Sequence, residues 1–102
     1  MSQYPLPAEQ CQSMEDVRAG VDALDSRLVA LLAERFGYMR AAARIKQDRN
    51  AVRDEARKQQ VITQAVEQGK ALGVPADRLA EMWEVLVEAS IAYELGEWDA
   101  KA

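Results

Sequence analysis

The chain has 102 residues, enough for one domain, and its 49% apolar content is sufficient for a packed core. The 17 acidic residues exceed the 13 basic ones, giving a net charge of −4. This charge argues against a protein that binds nucleic acid or anionic membranes, because such proteins usually have an excess of basic residues. The sequence contains no histidine, so an enzyme built from it must work without the commonest general base and metal ligand.

The N-terminal region and the cysteine content indicate a cellular compartment. The sequence has no run of about 18 apolar residues that would predict a membrane span. The segment Met1–Gln12 lacks the apolar region of a signal peptide, and Cys11 has no second cysteine with which to form an internal disulfide. We therefore expect a cytoplasmic protein with an N-terminal tail at residues 1–12 and one helical domain at residues 13–102.

A first long helix is predicted to begin after Ser13, which is a suitable N-cap with an acidic residue three positions later. Apolar residues then recur in steps of three and four, and no proline interrupts the pattern before about Arg49. The resulting stripe comprises Met14, Val17, Val21, Leu24, Leu28, Leu31, Arg35, Tyr38, Ala42 and Ile45.

The predicted length of this helix determines the expected architecture. About 36 helical residues form a rod of roughly 54 Å. A compact monomer of about 100 residues has a radius of gyration near 13 Å, so such a rod would extend beyond its own subunit. Helices that pack lengthwise on a partner helix use this kind of apolar seam. The sequence therefore predicts an intertwined homodimer in which a second copy buries the stripe.

Two further helices are predicted after a break at Asn50–Arg53. Asp54 is a plausible N-cap for the second helix, and Gly73 is the residue expected to terminate it. Pro75 is expected in the first turn of the third helix, which carries apolar residues as far as Trp98 and frays near its end. Since no alternating β-branched pattern occurs, the predicted fold is all-α with three helices per chain.

Arg35 is the residue that least fits a purely structural interpretation, because it occupies an apolar position of the stripe. A buried guanidinium needs an anionic partner. Lys46 follows 11 residues later and returns to within about 20° of the same helix face, roughly 16 Å along the axis. The two side chains could hold the ends of a small dianion between them.

Arg18 lies roughly 25 Å before Arg35 along the helix, too far to contact the same small ligand within one chain. In an antiparallel dimer it would instead complete the site of the partner. The alternative interpretation is that these basic residues form surface ion pairs, as most helix arginines do. Nearby acidic partners are available at Asp22, Asp25 and Glu34.

The ordered set of motifs resembles the all-helical, type II chorismate mutase family, including its isochorismate–pyruvate lyase branch, from about Ser13 to Trp98. The matching segments are Val17–Asp25, Leu31–Arg35, Lys46, Arg53–Arg57, Ala71–Val74 and Glu88–Glu94. The resemblance implies the fold expected above, with three helices per chain and a first helix shared in an intertwined dimer.

The resemblance also implies a site and a reaction. Arg18 would reach the partner's pocket, while Arg35, Lys46 and Arg57 would hold the carboxylates and ether oxygen of chorismate in their own chain. Asp54, Ser90 and Glu94 complete the implied substrate-binding set, with Lys46 and Glu94 as the catalytic pair. Conversion of chorismate to prephenate is a pericyclic rearrangement that needs no proton transfer, nucleophile, metal or cofactor, which is compatible with the missing histidine.

Two residues depart from the usual pattern of the family. Glu94 stands where most members have glutamine, so we expect it to act in its protonated form, favoured by an apolar setting. Lys58 stands where mutases usually have a glutamate that holds the ring hydroxyl, which leaves isochorismate as an alternative substrate. The lyase branch lacks that glutamate, and the segments Cys11–Ser13 and Tyr38–Ala42 also resemble it.

We favour the mutase and keep the lyase as the alternative. An alternative from another class is a non-catalytic helical dimerisation module whose Arg35 face binds a carboxylate of another protein. The number of basic residues at family spacing argues against that alternative.

Overall fold

The computed structural model describes residues 4–101, and all regular structure within that range is helical. Three α-helices follow one another: α1 (Met14–Ile45), α2 (Glu55–Ala71) and α3 (Ala76–Ala100). Short 3₁₀ turns occupy Ala8–Gln10 and Arg49–Ala51. These elements confirm the predicted all-α, three-helix fold. Within the described range, no helix combines the length and the apolar character needed to cross a membrane.

The chain divides into two compact units, Met1–Phe36 and Gly37–Ala102. In the first unit, Ser13 Oγ accepts a hydrogen bond from the Asp16 N–H at 3.1 Å, as expected of the predicted N-cap. The apolar stripe that follows is exposed in the single chain: Val17 is 38% exposed, and Leu31 is 59% exposed. Burial of the stripe by a second copy remains a prediction.

The end of α1 differs from the prediction. The periodic pattern suggested a helix to about Arg49, but α1 ends at Ile45. The carboxylate of Asp48 accepts a hydrogen bond from the Asn50 N–H at 2.9 Å and caps the 3₁₀ turn that begins at Arg49. Aspartate side chains offer the backbone this alternative to helical bonding, which explains why the chain leaves the helix although the apolar spacing would continue it.

The core of the second unit lies where α2 and the Arg49–Ala51 turn pack on α3. Val52, Val87 and Ile91 form a cluster of buried apolar residues there. Partly buried apolar side chains pack against them: Val61, Ile62, Trp83, Leu95 and Trp98. This packing fixes the face of α3 that bears the candidate site.

The ends of α2 match the prediction closely. Asp54 Oδ1 accepts the Arg57 N–H at 3.0 Å and caps the helix start. Beyond its end, Gly73 adopts a φ of 81°, and the Val74 N–H bonds to the Gly69 carbonyl at 2.9 Å. This arrangement is the glycine-dependent helix stop expected from the sequence. Pro75 lies at the N-cap of α3, one position before the first turn where it was expected.

Replacing Gly69 with alanine is expected to lower the free energy of unfolding by about 1–3 kcal/mol, because the added methyl group would overlap the Leu79 side chain. Gly96→Ala is the matched control, since no atom lies within 4 Å of the position that a Cβ would take there, apart from its two chain neighbours and the surrounding helix backbone. That change is expected to raise stability by about 0.5–1 kcal/mol. Urea denaturation at one protein concentration measures both. Equal stabilisation by the two alanines would show that the contact between Gly69 and Leu79 is not tight.

Candidate active site

The strongest candidate site is a buried carboxylate on α3 paired with a lysine that follows α1. Glu94 is only 4% exposed, and its Oε2 accepts a hydrogen bond from Lys46 Nζ at 2.7 Å. The lysine side chain keeps 30% of its surface accessible. Since burying an unpaired carboxylate is costly, the ammonium group is what makes this position tolerable for glutamate.

Ser90 lies one turn before Glu94 and is 3% exposed. Its hydroxyl donates to the Leu86 carbonyl at 2.7 Å. The two residues share a helix face, as the spacing of four predicts. Within residues 4–101 they are the two buried polar or charged residues, which marks this face of α3 as unusual for a helix interior.

Asp54 and Arg57 lie together at the start of α2. The Asp54 carboxylate is engaged as the helix cap, and Arg57 Nη1 donates to Gln60 Oε1 at 2.7 Å. Both residues are exposed. The structure therefore gives Asp54 a definite structural role, whereas contact of either residue with substrate stays a prediction.

The two remaining predicted residues lie in the first unit, on α1. Arg35 is partly buried, and desolvation of its guanidinium lowers its pKa from the ordinary value for arginine. Arg18 is exposed. Partial burial of Arg35 agrees with its position on the apolar stripe, where the sequence makes it conspicuous.

Lys58 belongs to an ionic cluster that the sequence analysis missed. Its side chain is only 10% exposed, and Nζ donates to Glu84 Oε1 at 2.7 Å and Glu88 Oε2 at 2.9 Å. Arg53 also binds Glu88, through Nη2 to Oε1 at 2.8 Å. Hydrogen bonds from Arg53 and then Lys58 lower the pKa of Glu88 to about 2, while Glu84 and then Glu88 raise the pKa of Lys58. Glu88 and Lys58 thus stay ionised at neutral pH, and two carboxylates of α3 face the Lys58 charge.

A cavity of about 450 Å³ lies in the first unit, between the segment Pro5–Cys11 and the first half of α1. Its walls are mainly apolar and include Val17, Val21 and Leu24. Arg27 is the one basic residue in its lining, and none of the predicted site residues contributes to it. One cation among apolar walls does not suit a small dianion, so the cavity is not the candidate active site.

The chain matches the model of a known protein family. A family model described as chorismate mutase type II matches residues 17–95. The matched range contains every residue predicted for the site, from Arg18 to Glu94, as well as the Lys58 cluster. A search of curated proteins returned no match.

Proposed function

Because the chain belongs to the type II chorismate mutase family, we propose that it converts chorismate to prephenate, with Lys46 and Glu94 at the ether oxygen of the substrate. The observation that carries this proposal is the pairing of the Lys46 ammonium with the buried Glu94 carboxyl at 2.7 Å. It supplies a fixed donor in a setting of low solvent exposure, where electrostatic interactions are stronger than in water.

The reaction breaks one carbon–oxygen bond while a carbon–carbon bond forms, and negative charge grows on the ether oxygen in the transition state. Donors already in place for that charge lower the barrier without any proton transfer. In this proposal the substrate displaces Lys46 from the Glu94 carboxylate, and Lys46 then donates to the ether oxygen. Glu94 takes up a proton from solvent and donates a second hydrogen bond. Ser90, buried one turn away, lies beside one of the substrate carboxylates.

The remaining cations orient the substrate. We propose that Arg35 and Arg57 bind its carboxylates and that Arg18 of the partner subunit completes the pocket. Holding the diaxial, chair-like conformer of the substrate supplies the orientation that the rearrangement needs. The exposed apolar stripe of α1 supports the homodimer, and the single cysteine supports a reducing cytoplasm. The proposal requires no metal, cofactor, nucleic acid or membrane.

A second candidate function is elimination of pyruvate from isochorismate to give salicylate in the same pocket. The observation that favours it is Lys58, which replaces the usual glutamate and is held by Glu84 and Glu88. A lysine so engaged cannot accept a hydrogen bond from a ring hydroxyl as a carboxylate would.

The proposal is tested by assaying the purified protein with chorismate and, separately, with isochorismate. We expect chorismate absorbance to fall with formation of prephenate, and Lys46→Met to lower kcat/KM by about 100-fold or more. The control Lys70→Met removes an exposed lysine whose weak partner is Glu67, at 3.5 Å, and should retain full activity. Salicylate and pyruvate from isochorismate, with no prephenate from chorismate, would establish the lyase instead. Turnover of neither compound would favour the non-catalytic module.

A further inference from the structure

The segment at the end of α3 binds the backbone of Lys46. Trp98 Nε1 donates to the Lys46 carbonyl at 3.0 Å. Lys101 Nζ donates to the same carbonyl at 2.6 Å and to the Ala43 carbonyl at 2.7 Å. The Lys101 ammonium also lies 4.9 Å from the centre of the Trp98 ring, where cation–π attraction holds the two side chains together.

These contacts occur at the C-terminal end of α1. The last carbonyls of a helix have no partner within it, and the negative end of the helix dipole favours a cation there. Lys46 directly follows α1, with its N–H bonded to the Ala42 carbonyl at 2.9 Å. Its backbone is thereby held on both sides, although the helix has already ended.

The same helix also holds the other end of Lys46. Glu94, which binds the ammonium group, and Trp98, which binds the carbonyl, are one turn apart on α3 and share a face. A further contact continues the attachment, because Arg49 donates to both carboxylate oxygens of Asp99, at 2.8 and 3.0 Å. One face of α3 therefore fixes both the origin and the tip of a long, flexible side chain.

We propose that Trp98 and Lys101 are positioning residues for the reaction: they fix the backbone from which the Lys46 ammonium reaches the ether oxygen of the substrate. The proposal rests on the function proposed above. A lysine side chain is a flexible stem of four carbons with no rigid geometry of its own. The position of its backbone therefore determines where the ammonium group can reach. Displacements of about 1 Å in a catalytic group lower rates by up to 100-fold.

Removing either donor while retaining the bulk of its side chain tests the proposal. Trp98→Phe loses the indole N–H but keeps an aromatic ring against the core, and Lys101→Met loses the ammonium but keeps the stem. Each is expected to lower kcat for chorismate by about tenfold with KM changed less than about twofold, because Lys46 acts on charge that develops in the transition state. Lys101→Arg, which keeps a cationic donor, should retain most of the wild-type activity.

A double-mutant comparison separates positioning of Lys46 from a general structural role. In a Lys46→Met background, Trp98→Phe and Lys101→Met should lower the residual activity no further. A further tenfold loss there would overturn the proposal, as would wild-type kcat in both single variants. If Trp98→Phe loses its helical circular dichroism, Lys101→Met alone decides the matter. Failure of Lys46→Met itself to impair chorismate turnover would count against the proposed function instead.

Discussion

A mixture of Arg18→Ala and Arg35→Ala chains is expected to recover up to about a quarter of wild-type activity, although each variant alone should fall below about one-hundredth. Each proposed pocket takes Arg35 from its own chain and Arg18 from the partner subunit. Half of the dimers in an equal mixture contain one chain of each kind. One of the two pockets in such a dimer then has both arginines intact, whereas the other lacks both.

The matched control mixes Lys46→Met with Arg35→Ala. Both changes affect a pocket through its own chain, so neither pocket of the mixed dimer is complete and no activity should return. Sedimentation at micromolar concentration checks the prerequisite, since the exposed stripe of α1 predicts a dimer. Confirmed exchange without recovery would place Arg18 and Arg35 in one chain's site or make Arg18 structural. A folded, helical monomer would contradict the shared pocket altogether.

The parts of the fold that sequence predicts well are those with local causes. The Ser13 and Asp54 caps and the Gly73 stop each depend on a few neighbouring residues, and all three lie where expected. The end of α1 was misplaced because apolar spacing alone continues through the residues after Ile45. Its actual position depends on Asp48 and on donors from Trp98 and Lys101, some 50 residues away.

The candidate site likewise has some features that follow from local spacing and others that depend on tertiary packing. A spacing of four residues is enough to place Ser90 and Glu94 on one face of a helix. The contact between Lys46 and Glu94 depends on how α3 packs, which one sequence does not specify. The spacing of Glu84 and Glu88, which are also four residues apart, places them on one face of α3. Their contact with Lys58 on α2 is again a tertiary contact that the sequence does not specify. The contacts of Trp98 and Lys101 with the Lys46 carbonyl left no local signal.

Glu94→Gln is expected to raise mutase activity at neutral pH, while Glu94→Leu should lower kcat by about 100-fold or more. The reason lies in the substrate, which brings two carboxylates and a developing negative charge to a site that already contains a buried carboxyl group. An ionised Glu94 would repel that charge, whereas a protonated one donates a hydrogen bond to it. Glutamine supplies a similar donor at every pH.

The glutamine variant distinguishes this role from a simpler one. If Glu94 acts as a hydrogen-bond donor, the amide of glutamine should replace it and activity should rise. The ion pair with Lys46 at 2.7 Å supports the competing view, in which an ionised Glu94 only positions the ammonium group. That view predicts a loss of activity at pH 7 in Glu94→Gln. Measuring kcat and kcat/KM at pH 7 for both proteins decides between the two roles.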